Sequence, residues 1–391
     1  MHGISRPLPA IHRSVLKARL ALLNKDYSKA LSLLRSTVQI LTKDSNLPSI
    51  TDGSSTNTPH IALLLPSKGP HAKVSKNIQD GFLAAYYESL RHQPSDPTVK
   101  LYDTGEGNQI IEAYEKALQE QANFIVGPLT KPEVESMMRL RLKVPVLALN
   151  TITESTSLPS EFYQFGLMPE DEVIAVAELA QKQRHRNALI LAPQSEWGKR
   201  LADAFKYFWQ DNGGRVVDVR YFNGSQDLDP KIQSLLKTQK ESRRQDADMI
   251  FMVASPEIAR QIKPLLSFYY ADDLPVYATA SVYSGKPTPS KDQDLNGIQF
   301  CDMPWVIQST YDLQEKKIQM EKLWADSVTQ GSRFFALGMD AYQLATELSN
   351  HGQLPSHGFS GYTGDLYLNP YRQIKRGLVC VQFVQGVPTR N

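Results

Sequence analysis

Residues 60–87 read HIALLLPSKGPHAKVSKNIQDGFLAAYY, and this stretch decides the fold class. It begins as a short apolar strand, turns at a Pro and Gly loop, and continues as an amphipathic helix. A strand, a turn and a helix in this order form the opening unit of a doubly wound α/β domain, which binds ligands at the carboxyl ends of its strands. Ser67, Lys68 and Gly69 follow the strand, so they are expected at a binding crevice.

The alternation of strands and helices continues to the end of the chain. Predicted strands are Ile61–Leu65, Val99–Tyr102, Phe124–Val126, Val146–Leu149, Ala188–Leu191, Val216–Tyr221, Met249–Val253 and Val276–Ala278. Apolar strands joined by helices indicate parallel sheets covered on both faces. The first four strands and the next four form two similar series, with a chain crossing expected at 162–166 and a Gly-rich hairpin at 361–383. The expected fold class is α/β, a two-lobed clamshell preceded by a short α-helical hairpin.

The segment before His60 differs from the rest of the chain. Residues 1–43 are expected to form a tetratricopeptide-like helical hairpin, and residues 44–59 form a Ser, Thr, Asn and Pro linker. One such hairpin cannot bury its own apolar face, so either it packs on the next domain or it is the last repeat of a longer helical array, and the second is expected. The clamshell is expected over 60–391, with lobe 1 at about 60–163 and 300–355 and lobe 2 at about 164–299 and 356–391.

Composition and charge narrow the class of protein. The 391 residues are 41% hydrophobic and 21% charged, which is typical of a globular chain. The net charge of +2 combines a basic first segment, with eight Lys and Arg against two Asp in residues 1–50, with a mildly acidic remainder. That basic segment carries no nucleic-acid-binding module, so nucleic acid is not an expected partner. A solvated helical face and a docking face for an acidic partner both remain open.

Catalytic and metal-binding motifs do not assemble in this sequence. Asp103-Thr104-Gly105 occurs once, whereas an aspartic protease site needs two such carboxylates. Pro287 interrupts the phosphate-loop-like segment at 284–288. The eight His residues lack metal-ligand spacing, and no G-x-S-x-G elbow occurs. Acidic residues at 170–172 begin a helix, where the helix dipole favours them. No enzymatic activity, metal or cofactor is therefore predicted, and the pairing of Cys301 with Cys380 is left open.

Polar side chains that follow predicted strands define a candidate crevice. Each follows a strand at the edge where parallel sheets place ligands. The candidate residues are Ser67, Lys68, Gly69, Thr130, Lys131, Asn150, Thr151, Gln194, Trp197 and Ser255.

A family resemblance extends over most of the chain. The order LLPSKGP, IQDGFLAAY, KLYDT, FIVGPLTK, VPVLALN and YQFGLMPEDE is similar to the type I periplasmic-binding-protein fold. More narrowly, VGPLTK, LALN, the tail TGDLYLNPYRQIKRGL and the tetratricopeptide-like segment resemble the LpoA family, also called LppC or YraM. Among the matching positions, Gly81 is expected to allow close packing of its helix on a sheet.

The resemblance implies a regulator. Members of this family are outer-membrane lipoproteins that stimulate a class A penicillin-binding protein, so the expected partner is that peptidoglycan synthase, with peptidoglycan as a further candidate. The expected location is the periplasmic face of the outer membrane, reached through an N-terminal lipid anchor that this sequence does not include. The alternative is a periplasmic solute-binding clamshell for an amino acid, a peptide or a cell-wall fragment.

Overall fold

The computed structural model of the protein describes residues 60–90, 97–106, 108–152, 159–239, 242–308 and 310–390. The helical hairpin expected at 1–43 and the linker expected at 44–59 lie outside these residues.

Fifteen strands are present in the described part of the chain. They are β1 (His60–Leu65), β2 (Thr98–Asp103), β3 (Phe124–Val126), β4 (Val146–Ala148), β5 (Phe162–Phe165), β6 (Asn187–Pro193), β7 (Arg215–Phe222), β8 (Met249–Met252), β9 (Val276–Ala278), β10 (Ile298–Asp302), β11 (Phe359–Ser360), β12 (Asp365–Leu368), β13 (Gln373–Gly377), β14 (Val379–Val384) and β15 (Val387–Thr389).

Helices lie between most of these strands. They are α1 (Ala72–Ser89), α2 (Ile110–Gln119), α3 (Lys131–Met138), α4 (Pro169–Lys182), α5 (Glu196–Asp211), α6 (Leu228–Leu236), α7 (Pro256–Phe268), α8 (Pro289–Asp292), α9 (Pro304–Ile307), α10 (Tyr311–Leu323), α11 (Ala325–Gln330) and α12 (Ser332–His351). None of the helices in the described part of the chain has both the length and the apolar character that crossing a bilayer requires.

The strands form two sheets, each parallel at its centre. The first has eight strands in the order β11-β12-β13-β5-β4-β3-β1-β2, and its antiparallel pairs are β11 with β12 and β12 with β13. The second has seven strands in the order β15-β14-β10-β9-β8-β6-β7, and its antiparallel pairs are β10 with β14 and β14 with β15. Apolar side chains of β1, β3 and β8 are buried on both faces of their sheets, as the sequence pattern predicts. The predicted α/β class is confirmed.

Three segments lie in a different sheet from the one that the expected lobe boundaries imply. Residues 162–165 form β5 inside the first sheet. The chain therefore leaves this sheet after β5, and not at 162–166 as expected. Strand β10 belongs to the second sheet, although most of it was assigned to lobe 1. The tail forms two hairpins, β12 with β13 in the first sheet and β14 with β15 in the second.

The chain passes between the two sheets three times. It crosses after β5, again after β10, and finally at Leu378, the one residue between β13 and β14. Each lobe is therefore built from segments that are distant in sequence.

Helices α1 and α12 cross at two glycines in the first lobe. A Cβ atom added at Gly81 would lie 1.9 Å from the Phe335 carbonyl oxygen, and one added at Gly338 would lie 2.0 Å from that of Ile78. The sequence predicts that Gly81 allows its helix to pack closely on a sheet. In the structure, Gly81 instead allows α1 to pack closely on α12. This crossing positions α12, the helix that carries Arg333 and Asp340.

Candidate functional site

The loop after β1 is tied to the end of β2. The Ser67 hydroxyl donates to Asp103 Oδ2 at 2.6 Å, and the Ser67 and Gly105 N–H groups donate to Asp103 Oδ1 at 3.0 and 2.8 Å. Partial burial raises the pKa of Asp103, but these hydrogen bonds and the charge of Lys68 outweigh it, so the net pKa is lowered. Gly69 adopts φ +71°, a conformation that glycine supplies without strain.

Polar groups after β3 and β4 are also used locally. The N–H and hydroxyl of Thr130 donate to Glu133 Oε2 at 3.2 and 2.8 Å, which caps the start of α3. Asn150 Nδ2 donates to the Leu129 carbonyl at 2.9 Å, and its Oδ1 accepts from the Thr151 N–H at 2.9 Å. Lys131 is exposed beside them. The side chains of Ser67, Thr130 and Asn150 are therefore already hydrogen-bonded to strand ends and loops of the first lobe.

The second-lobe candidates are exposed to solvent. Trp197 is 39% exposed, and Gln194 and Ser255 are exposed after β6 and β8. The Gln194 N–H donates to the Phe222 carbonyl at 2.8 Å, which ties it to the neighbouring strand β7. Within the described residues, no side-chain hydrogen bond joins the first-lobe candidates to those of the second lobe. The ten predicted residues thus lie after different strands, in two sets that no side-chain hydrogen bond joins. A ligand site that they share stays a prediction.

A charged contact between the lobes involves residues that the sequence analysis did not select. Arg333, on the first-lobe helix α12, forms an ion pair with Asp302 at the end of β10 in the second sheet. Its guanidinium also lies 3.3 Å from the Tyr283 carbonyl oxygen and 3.4 Å from that of Ala280. Asp302 is 2% exposed, and its Oδ1 accepts the Met303 N–H at 2.8 Å. This pair joins the two lobes through a largely desolvated charge.

Glu172 belongs to the same border region. It lies in the first turn of α4, and its Oε2 accepts the Ala280 N–H at 3.0 Å. Burial and the nearby charge of Asp302 raise the pKa of Glu172 to about 7, whereas Arg376 and Arg333 oppose the shift. Its carboxyl group therefore changes charge near neutral pH.

A second contact joins the lobes at the start of α4. Arg376, on β13 of the first sheet, donates to Asp171 Oδ2 at 3.3 Å and to the Met168 carbonyl at 3.1 Å. Both partners are deeply buried, with side-chain exposures of 1% and 6%. Lys375 lies 3.4 Å from the other Asp171 oxygen. The acidic start of α4 is therefore a contact between lobes as well as a favourable helix end.

Asp340 fixes the loop that leads into β12. Its carboxylate accepts the N–H groups of Tyr362 and Thr363, both at 2.7 Å, and the Thr363 hydroxyl at 2.6 Å. Burial raises the pKa of Asp340 to about 6 even though these hydrogen bonds favour the charged form. Arg333 and Asp340 are seven residues apart on an otherwise apolar helix face, and that spacing is the sequence signal that indicates both.

Cys301 and Cys380 form a disulfide between β10 and β14. They stand directly opposite each other in the antiparallel pairing, which brings together residues that are 79 positions apart in sequence. The pairing left open by the sequence is thereby resolved.

The chemistry of this region is that of paired charges. Arg333 pairs with Asp302 and Arg376 pairs with Asp171 across the lobe border. The carboxylate of Glu172 accepts a hydrogen bond from a backbone N–H group. Over the residues that the structure describes, no group of three or more His, Cys, Asp or Glu side chains is arranged to hold a metal ion.

The chain is similar to a known protein family in sequence and to solved structures in fold. The family model of the LppC lipoproteins matches residues 39–386. The penicillin-binding protein activator LpoA of Vibrio vulnificus (strain YJ016) is 30% identical over 336 residues, which cover 79% of this chain and 55% of that protein. The chain thus spans about half the length of the curated relatives it matches.

Two solved structures resemble the chain. The C-domain of LpoA (YraM) from Haemophilus influenzae, a regulator of PBP1A, is 26% identical with a TM-score of 0.70, and the match covers 84% of this chain and 99% of that one. A solute-binding protein of an R. palustris ABC transporter, in complex with 4-hydroxybenzoate, is 17% identical with a TM-score of 0.56, covering 85% of this chain and 95% of that one. The second likeness establishes the shared fold alone.

Proposed function

The chain belongs to the LppC lipoprotein family, and from this premise we propose that it regulates peptidoglycan synthesis by binding and stimulating a class A penicillin-binding protein. The relative from Vibrio vulnificus is named as an activator of a penicillin-binding protein, and the Haemophilus influenzae domain as a regulator of PBP1A. These names support the proposal for a chain that spans about half of those relatives' length.

One structural observation favours this role over solute binding. Ser67, Thr130 and Asn150 direct their polar groups at strand ends and loops of the first lobe, and Arg333 joins the lobes through its ion pair with Asp302. A transport receptor needs unsatisfied polar groups that a solute can complete, because those groups provide specificity. The local use of these groups therefore supports a body that presents a surface to another protein.

The proposed location is the periplasmic face of the outer membrane, with a lipid anchor on the mature N-terminus. Membership in a lipoprotein family supports the anchor. The Cys301–Cys380 disulfide supports the compartment, because disulfides persist in oxidising environments such as the bacterial periplasm.

The proposed action is non-catalytic. The regulator would change the activity of the synthase through contact, and peptidoglycan would be a second ligand of the same complex. The absence of any chemical step by this chain is a testable part of the proposal, since the chain alone should leave a purified peptidoglycan sample unchanged.

The deciding experiment measures glycan polymerisation and peptide crosslinking by a purified class A penicillin-binding protein from the same organism. We expect the 391-residue chain to raise at least one of these rates and to bind the synthase in a pull-down. A solute-binding protein of the same fold and similar size serves as the matched control and should have no effect. If the chain neither binds nor stimulates the synthase, the regulator proposal is wrong.

A further inference from the structure

A cavity of about 710 Å³ lies beside the segments where the chain crosses between the lobes. Residues from both sheets line it, including Gln299 of β10 and Leu378 at the third crossing. None of the ten predicted crevice residues takes part in its lining. Its volume falls within the range of roughly 300–1,000 Å³ that holds small ligands. This cavity is therefore separate from the predicted crevice residues.

One side of the cavity is apolar. Leu179 from α4, Leu313 from α10, and the adjacent pair Leu378 and Val379 contribute aliphatic side chains. All four are half-buried, so each still offers apolar surface to a ligand. Covering that surface would be favourable, because apolar area removed from water contributes to binding.

The amide groups on the other side are already ordered. Gln183 Nε2 donates to Gln299 Oε1 at 2.9 Å, and Gln299 Nε2 donates back to Gln183 Oε1 at 3.3 Å. The Tyr277 hydroxyl donates to the same Gln183 oxygen. Each amide nitrogen keeps one further N–H, so the pair can donate to a ligand carbonyl without losing its own bonds.

Two cations and a third amide complete the polar side. Lys182, Gln343 and Arg390 line the cavity, and none of them has a side-chain hydrogen bond or ion pair with any residue that the structure describes. The carboxylate at the cavity, Asp365, already accepts the Ser360 hydroxyl at 2.7 Å. The cavity therefore favours one negative charge, while Asp365 disfavours a ligand with several.

We propose that this cavity binds a short peptide that carries an apolar side chain and a free carboxylate. Lys182 and Arg390 would bind the carboxylate, since hydrogen bonds between charged groups are the strong ones. The amides of Gln183, Gln299 and Gln343 match the donors and acceptors of peptide bonds. The apolar side of the cavity would cover the apolar side chain of the peptide. Because the lining comes from both lobes, an occupied cavity would hold the lobes together. This inference is independent of the proposed function.

The carboxyl terminus of a protein is the source of such a peptide that fits this lining. A cell-wall stem peptide that ends in D-alanine carries several carboxylates and only methyl groups as apolar side chains, so it is the competing candidate. Calorimetric titration of the 391-residue chain distinguishes them with two probes, acetyl-Ala-Leu-Ala and L-Ala-D-Glu-diaminopimelate-D-Ala. Tighter binding of the first would support the inference, and tighter binding of the second would overturn it in favour of a cell-wall ligand. Acetyl-Ala-Leu-Ala amide, which lacks the carboxylate, should bind about tenfold more weakly than its acid.

Three variants locate the binding. Lys182→Glu should weaken binding of the preferred probe about tenfold, because it replaces a charge-assisted contact with a repulsive one. Leu313→Trp should block the cavity and remove binding. Lys199→Glu, an equally exposed lysine on α5 outside the cavity, is the matched control and should bind as the original chain does. Circular dichroism melting confirms that each variant is folded. Failure of both probes to bind saturably, or binding by Lys182→Glu and Leu313→Trp that is as tight as binding by the original chain, would overturn the inference.

Discussion

Arg333 shows how one side chain can connect two lobes at the cost of a buried charge. Its partner Asp302 is almost fully buried, so each ion depends on the other for compensation. Burying such a pair contributes little net stability, but removing one member leaves an unpaired charge and costs about 3–5 kcal/mol. The pair therefore specifies how the lobes meet more than it stabilises the fold.

Glu172 provides a pH-dependent prediction at the same border. Its folded-state pKa of about 7 lies above the unfolded value of 4.5, so its contribution to stability is full below about pH 4.5 and is lost as the pH rises through about 7. Asp340, with a pKa of about 6, acts in the same direction. We expect the free energy of unfolding to fall between pH 5 and pH 8, with Glu172 accounting for about 1–3 kcal/mol.

Urea unfolding at pH 5, 6, 7 and 8 measures this dependence. Glu172→Gln keeps the shape of the side chain and a carbonyl acceptor for the Ala280 N–H, and it should flatten the pH profile. Glu178→Gln, an exposed carboxylate on the same helix, is the control and should retain the original slope. A profile unchanged by Glu172→Gln would contradict the assignment of this titration to Glu172.

At the scale of elements, the crossing of α1 and α12 depends on two missing side chains. Gly81 and Gly338 each face a backbone carbonyl of the other helix at a distance that leaves no room for a Cβ atom. A helix interior normally disfavours glycine by about 1 kcal/mol relative to alanine. Close packing outweighs that preference here, and it brings α12 near enough for Arg333 to reach the second sheet.

Gly81→Ala should therefore destabilise the protein, although alanine is the better helix former. The added methyl group forces the helices apart, which costs about 1–3 kcal/mol. Lys73→Ala, at an exposed position of the same helix, should change stability by no more than about 0.5 kcal/mol. Thermal and urea unfolding of both variants test this prediction, and an increase in stability for Gly81→Ala would show that the helices separate without cost.

The same scale explains which elements the sequence reveals. Strands such as β1, β3 and β8 consist of consecutive apolar residues, and that pattern reports burial on both faces directly. Strand β10 lacks the pattern because Gln299 and Asp302 interrupt it, and both are satisfied by distant partners, Gln183 and Arg333. Local patterns do not encode such contacts. For the same reason, topology predicts the loop ends at Ser67 and Asn150, whereas the ion pairs at the lobe border emerge only from the assembled fold.

At the scale of the whole molecule, the disulfide joins two crossing segments. Strand β10 is followed by the second passage between sheets, and β14 is preceded by the third, so the Cys301–Cys380 bond ties both passages together within the second sheet. The bond closes a loop of 79 residues, and this closure lowers the conformational entropy of the unfolded chain. The folded state is therefore stabilised relative to the unfolded state. Its pairing depends on strand register and could not be read from the positions of two cysteines.

Replacing both cysteines by serine should lower the free energy of unfolding by about 2–4 kcal/mol. Urea unfolding with and without dithiothreitol measures the effect. The original chain should lose stability when reduced, and the Cys301→Ser/Cys380→Ser variant, as the control, should not respond to the reductant. Equal stability of the oxidised and reduced chains would contradict the prediction.

The single-residue passage at Leu378 has a genetic consequence. A stop codon in the loop before β11 would delete three strands from the first sheet and two from the second, so both lobes would be incomplete. No contiguous gene fragment of the clamshell encodes one whole lobe. Nonsense alleles late in the coding sequence are therefore expected to behave as null alleles, and screens for partial function will succeed with missense changes rather than truncations.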